Sequence, residues 1–263
     1  MKIIFFGDVI GRPGRSALRK IIPEIKEKYN PDVIICNGEN LAHGKGITEK
    51  TVQSVIDAGV DIITSGNHIF KKEGVQILEQ GKLPVIRPAN YPPDVPGNGF
   101  ITLNIGTEKL LVINVIGQVF FGENFDSPFR KLDEILKTKE AQSANTIIVD
   151  AHTEVTSEIK GLGYYLNGRV TACVGTHTHV PTADSRILDK GTAYISDVGM
   201  VGIKDSVLGV RKEEVLEKFL NQMPTKFQID DHGICEISGV FIESFSGSIK
   251  AKKIELIYKE VEV

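Results

Sequence analysis

"GRVTACVGTHTH" (168–179) runs through an apolar stretch and ends on two histidines, His177 and His179, one residue apart. The apolar part has the length and composition of a buried strand, and a strand buried on both faces belongs to a sheet with parallel pairing. In an extended chain, residues i and i+2 point to the same side, so the two imidazoles are expected together at the strand end. Four other apolar runs end the same way. "KIIFFGD" (2–8) ends at Asp8, "PDVIICNGEN" (31–40) at Glu39 and Asn40, "VDIITSGNH" (60–68) at Asn67 and His68, and "ANTIIVDAH" (144–152) at Asp150 and His152. Turn chemistry accounts for one such end, since Asn, Asp and Gly favour turns. It does not account for four histidines across five strand ends. In open α/β sheets, sites form beyond the carboxyl ends of the strands.

The segments between these runs support an α/β reading. "PGRSALRKIIPEIKEKY" (13–29) has helical periodicity with Pro13 in a first-turn position, and Pro23 is expected to interrupt or split it. "ITEKTVQSVIDAG" (47–59) is a helix with Thr48 as N-cap and Gly59 closing it. "GNGFITLNI" and "KLLVINVIG" flank "GTEK" as a hairpin. "SPFRKLDEILKTKEAQ" (127–142) reads as one amphipathic helix, "GTAYISDVG" (191–199) as a further strand and "RKEEVLEKFLNQM" (211–223) as a helix. The alternating tail from Ile234 to Val263 is a terminal hairpin whose lysines mark a solvated sheet edge.

Composition bounds the rest. The 263 residues carry 31 basic and 34 acidic side chains, a net charge of −3, and 41% hydrophobic residues. This is an ordinary globular composition, without the basic footprint of a stable nucleic-acid binder. Three cysteines with no C-x-x-C pair exclude a thiolate metal site and fit a reducing compartment. No stretch reaches membrane-spanning length, and a cytoplasmic protein is expected. P-loop, G-x-G-x-x-G and G-x-S-x-G templates all fail. Imidazole with carboxylate and amide oxygen suits Mn, Fe or Zn.

The ordered set "GD…NGEN…GNH…DAH…GTHTH" resembles the calcineurin-like metallophosphoesterases, and within them the YmdB-type branch of 2′,3′-cyclic-nucleotide phosphodiesterases. "HGKG", "RPAN", "GTHTHVPTAD" and "GTAYISDVGM" resemble that branch too. Ile10 stands where the wider family has a histidine, "GEN" replaces its Gly-Asp, and Ile69-Phe70-Lys71 replaces the branch's Thr-Trp-Asp. The resemblance implies one domain over residues 1–263: a sandwich of two mixed sheets flanked by helices, in four α/β/β/α layers. It implies two metal ions, Fe or Mn first and Zn or Mg as alternatives. Asp8, Asn40 and His179 would hold one ion, and Asn67, His152 and His177 the other, with Glu39 bridging. A hydroxide between the ions would attack phosphorus, and His68 would donate the proton. The implied substrate is a small cyclic nucleotide, 2′,3′-cyclic AMP or GMP, and the family suggests a homo-oligomer. A metal-stabilised regulatory or scaffold protein and a phosphomonoesterase are the alternatives.

Other residues remain open. Asp150 either orients His152 or simply ends a strand, and Asp197 either supports the site or ends another. His43 and Lys45 read first as solvated loop residues and second as substrate contacts. Arg12 and Arg15 flank a helix start near Asp8 that could receive an anion. His232, in "DDHG", reads as a turn residue.

Overall fold

A computed structural model describes residues 1–263. The first half holds β1 (Lys2–Val9), α1 (Gly11–Tyr29), β2 (Val33–Asn37), α2 (Glu49–Ile56), β3 (Ile62–Thr64), α3 (Gly74–Gln80), β4 (Phe100–Ile105) and β5 (Glu108–Ile116). The second holds α4 (Pro128–Leu136), α5 (Lys139–Gln142), β6 (Thr146–His152), α6 (Thr156–Leu166), β7 (Ala172–Thr176), β8 (Arg186–Ile187), β9 (Ala193–Ile195), β10 (Met200–Ile203), α7 (Lys212–Asn221), β11 (Ile234–Ser244) and β12 (Ala251–Glu262).

The strands form two six-stranded mixed sheets, ordered β12-β11-β10-β1-β2-β3 and β4-β5-β6-β7-β9-β8. In the first, β1, β2, β3 and β10 run parallel and the β11–β12 hairpin joins antiparallel. In the second, β5, β6, β7 and β9 run parallel, with β4 and β8 antiparallel at the edges. The sheets face each other across a core that includes Phe5, Ile35, Val112, Ile148, Val174 and Ile195. Strand β2 alternates throughout and β1 as far as Phe6, so Ile4, Phe6, Ile34 and Cys36 turn outward onto α1, α2 and α3; a bulge between Phe6 and Asp8 then brings Val9 to the same side. The outer face of the second sheet packs on α4, α5 and α6 through Leu111, Val149, Leu132, Ile159 and Leu162. The layers are therefore α/β/β/α, as expected.

Local departures have local causes. Pro23 lies inside an unbroken α1, where its missing N–H leaves the Arg19 carbonyl without a helical partner on the exposed face. Thr48 caps α2 by accepting from the Thr51 N–H, 3.2 Å away. The stretch 127–142 is two helices, because the Thr138 hydroxyl accepts from the Ala141 N–H and starts α5 anew. Helix α6 carries little periodic signal because it contains Gly161 and Gly163; a Cβ on Gly163 would overlap the Tyr194 ring packed against it. Strand β12 is a sheet edge, as its lysines suggest. No helix is long and apolar enough to cross a membrane.

Candidate active site

Parallel pairing aligns the carboxyl ends of β1 and β2 in one sheet and of β6 and β7 in the other, and the packing of the two sheets sets these ends together, so that the polar residues there converge. Asp8, Glu39, Asn40 and His152 are essentially buried. Asp8 Oδ2 accepts the backbone N–H of His177 at 3.0 Å, and its Oδ1 lies 3.4 Å from Asn40 Nδ2 and 3.7 Å from His179 Nε2. Glu39 Oε1 lies 3.2 Å from His68 Nδ1 and 3.4 Å from His152 Nε2, while Oε2 accepts the His68 backbone N–H at 2.9 Å. Ligand atoms of Glu39, His152 and His177 all lie within 4.8 Å of one another. The His152 and His177 rings are 4.5 Å apart, centroid to centroid.

His177 and His179 arrive by a route the strand pattern does not give. Strand β7 ends at Thr176, and both histidines have left-handed backbones, with φ of 107° and 64°. They are not related by strand alternation. His177 turns to His152 and Glu154, whose Oε2 is 2.7 Å from its Nε2. His179 turns to Asp8 and Asn40. Asp197 holds this loop: its Oδ2 accepts from the Thr178 N–H at 2.9 Å and its Oδ1 from the Gly199 N–H at 2.7 Å. The strand rule does hold at Asp150 and His152, which lie within β6 and share a face.

Neighbouring groups fix which nitrogens are free. The Thr176 hydroxyl donates to Asp150 Oδ1 at 2.7 Å and so accepts from His152 Nδ1–H at 2.9 Å. In the neutral ring His152 Nε2 is left as an acceptor, and it is buried without a hydrogen-bond partner. Asn67 Oδ1 is a second buried acceptor with none. His179 donates Nδ1–H to the Leu208 carbonyl at 3.0 Å, leaving Nε2 to face Asp8. This is how metal-ligating histidines are usually oriented. Gly66 makes the room, since a Cβ there would overlap His152 Nε2 and Glu39 Oε2. Asn40 is arranged differently from expectation. Its oxygen lies 3.1 Å from His68 Nδ1 and its NH₂ faces Asp8 and His179, so a cation between those two would meet an oxygen only with the amide turned over.

The field of the site favours positive charge. Burial opposes a proton on His152, but the carboxylates of Glu39, Asp8 and Asp150 raise its pKa to about 9. Burial pushes Glu39 and Asp8 up, yet the imidazoles beside them, His152 and His68 for Glu39 and His179 for Asp8, bring both below the usual carboxylate values. Burial lowers His177, and His152 adds to that. Burial raises Asp150 and Asp197 to about 7. Nitrogen and oxygen donors, buried unpartnered acceptors and excess negative charge together suit transition-metal ions.

Above these groups opens a cleft of about 530 Å³, lined by His68, Lys45 and Glu154 on its polar side and by Val180, Leu208 and Ile229 on its apolar side. His43 is exposed and lines a neighbouring cleft with Arg12. Arg15 donates to the Leu41 carbonyl and is structural. His232 is exposed in the turn before β11. Three polar partners escaped the sequence reading. Asn37 donates to Asp150 Oδ2 and the Ser65 carbonyl, Thr176 carries the relay to His152, and Glu154 takes His177. Glu154 continues the two-residue spacing of Asp150 and His152, a signal that could have found it.

This architecture is that of the calcineurin-like phosphoesterases. It superposes on the calcineurin-like phosphoesterase YfkN from Bacillus subtilis with a TM-score of 0.61, over 98% of this chain and 90% of that one, at 12% identity. A family model described as "YmdB-like protein" matches residues 4–257, and the chain belongs to that family. It is 44% identical to the Bacillus subtilis 2′,3′-cyclic-nucleotide 2′-phosphodiesterase, over 98% of this chain and 96% of that protein. A crystal structure described as a novel phosphatase from Mycoplasma pneumoniae matches with a TM-score of 0.92 and 34% identity, over 100% of this chain and 94% of that one. The chain is thus an enzyme of the phosphoesterase class.

Proposed function

We propose that this chain is a two-metal phosphodiesterase that opens 2′,3′-cyclic nucleotides, the activity named for its Bacillus subtilis relative. The observation that carries the reading is the pair of buried acceptors without partners, His152 Nε2 and Asn67 Oδ1, beside a carboxylate-rich centre. Asp8, His179 and Asn40, its amide turned over, would hold one cation; Asn67, His152 and His177 would hold the other; and Glu39, whose Oε1 lies 3.4 Å from His152 Nε2, would be shared by both. Iron or manganese fits these donors best, with zinc next. Bound there, such ions supply Lewis acidity that withdraws charge from phosphoryl oxygens and makes water nucleophilic near neutral pH.

The chain's own residues do the rest. His179 and His152 are held in fixed tautomers by Leu208 and Thr176, so neither ring must reorganise on binding. Asp197 fixes the backbone of the loop that carries both histidines. His68 donates Nδ1–H toward Asn40 and Glu39, which fixes the ring at the cleft wall, while its Nε2 makes no hydrogen bond within the chain. A proton on Nε2 can pass to the departing ribose oxygen. The cleft volume suits a mononucleotide, and Val180, Leu208 and Ile229 offer an apolar face to its nucleoside.

Turnover of 2′,3′-cyclic AMP by the metal-supplemented chain, set beside p-nitrophenyl phosphate and its bis ester, tests the reading. The expected result is opening of the cyclic diester, with the bis ester hydrolysed faster than the monoester. Preference for the monoester would make the chain a phosphomonoesterase, and no turnover of any ester would favour a metal-stabilised scaffold.

A further inference from the structure

A second cleft, of about 400 Å³, lies beside the first and has no part in the chemistry above. Arg12, His43 and Lys226 line it, with Asp231 the one acid and Phe227 the one aromatic face. The clefts are contiguous. Ile229 lines both, its Cδ1 packed over Gly44 and Gly11, where a Cβ would come to 2.8 and 3.3 Å. The loop 43–45 crosses the boundary, with His43 in one cleft and Gly44 and Lys45 in the other. Arg12, Lys45 and Lys226 make no ion pair and no side-chain hydrogen bond. In a chain of net charge −3, this is a local excess of unpaired cations leading away from the reacting centre.

The first cleft, of about 530 Å³, has room for a mononucleotide by itself. A track of cations beside an exposed aromatic ring is what a single-stranded phosphodiester backbone recognises. We propose, resting on the function proposed above, that the second cleft binds the phosphate next along an oligoribonucleotide whose end carries the 2′,3′-cyclic phosphate. Lys45 sits at the junction, Arg12 and Lys226 take the phosphate, and Phe227, one face of which carries the Lys218 ammonium 5.0 Å from its centroid, offers its other face to the base. The enzyme then acts on the cyclic ends of short RNA fragments in preference to cyclic mononucleotides.

The experiment compares kcat/KM for uridine 2′,3′-cyclic phosphate and for a uridine trinucleotide with the same cyclic end, using the metal-loaded full chain. The trinucleotide should be favoured by about tenfold or more at low salt, with the advantage shrinking as salt rises. The double variant R12A/K226A should erase the advantage and leave the mononucleotide rate unchanged. In parallel, fluorescence anisotropy follows a fluorescein-labelled trinucleotide ending in a 3′-phosphate, whose binding should weaken by a similar factor in the variant. Equal kcat/KM for the two substrates, or an advantage that survives in R12A/K226A, overturns the proposal. If neither substrate opens, the function proposed for the site falls, and anisotropy alone decides the cleft: weaker binding in the variant supports it, and unchanged binding overturns it.

Discussion

Thr176 holds His152 in one tautomer: its hydroxyl, committed to Asp150 at 2.7 Å, can only accept from His152 Nδ1, 2.9 Å away. Thr176→Val keeps the shape and removes both bonds. The neutral ring is then free to carry its single proton on Nε2, where it cannot bind a cation. Metal affinity should fall about 10–100-fold, as for other partners of metal-bound histidines. The buried Asp150 oxygen also loses a donor, costing about 1–3 kcal/mol of stability. Metal titration and thermal melts measure both, and unchanged affinity would show that the relay does not orient the ligand.

Gly66 should be irreplaceable for a reason unrelated to its backbone. Its φ lies outside the left-handed region, so alanine is conformationally acceptable, yet its Cβ would overlap His152 Nε2 and Glu39 Oε2. Gly66→Ala is expected to fold, as circular dichroism should show, and to lose bound metal and turnover together. A Gly66→Ala chain with full metal content would mean that His152 and Glu39 do not share a centre.

His68 and His179 should fail differently. His68→Ala removes a proton donor, so metal content stays normal. Opening of 2′,3′-cyclic AMP should slow by about 10²–10⁴-fold, and hydrolysis of a nitrophenyl ester, whose leaving group needs no proton, much less. His179→Ala should lose metal and regain part of its activity at high metal concentration. Loss of metal from His68→Ala, or equal slowing of both substrates, would make His68 a ligand or a positioning group.

Stability of the metal-free chain should fall between pH 5 and pH 9. Asp150 and Asp197, raised to about 7 by burial, bind protons more tightly folded than unfolded, so their contribution fades as pH rises toward 7. His152, raised to about 9, contributes fully below its ordinary value of 6.5 and loses that contribution as pH climbs through 9. His177, lowered, acts in the opposite sense and only below 6.5. A cation can replace the protons, so added metal should restore the melting temperature most at pH 9. Chelator-treated melts at pH 5, 7 and 9 check this, and a flat or rising profile would contradict it.

Strand ends were the legible part of this chain, because an apolar run stops abruptly at a charged or imidazole side chain. Asp8, Glu39 and His152 could be read that way; parallel pairing sets the ends of β1 and β2 side by side, and the packing of the two sheets brings His152 to them. The layers were legible through family resemblance more than through periodicity. Asn37 and Thr176 were not legible, since neutral polar residues inside apolar runs look like turn or packing residues until their partners are known. His177 and His179 were expected at the site for a wrong reason: two left-handed residues beyond the strand aim the rings to different partners, and nothing in "GTHTH" announces them. Helix α6 hid behind glycines that serve the Tyr194 contact.

Metal content of the freshly purified chain, measured by elemental analysis without chelator, tests the central claim most directly. The account predicts about two transition-metal ions per chain, iron or manganese first, in keeping with paired-metal phosphoester hydrolysis. It also predicts that Glu39→Gln, whose neutral amide is a poor bridge, folds but loses much of that metal. Metal-free protein that takes up nothing on soaking, or a Glu39→Gln chain that keeps both ions and full turnover, would contradict it.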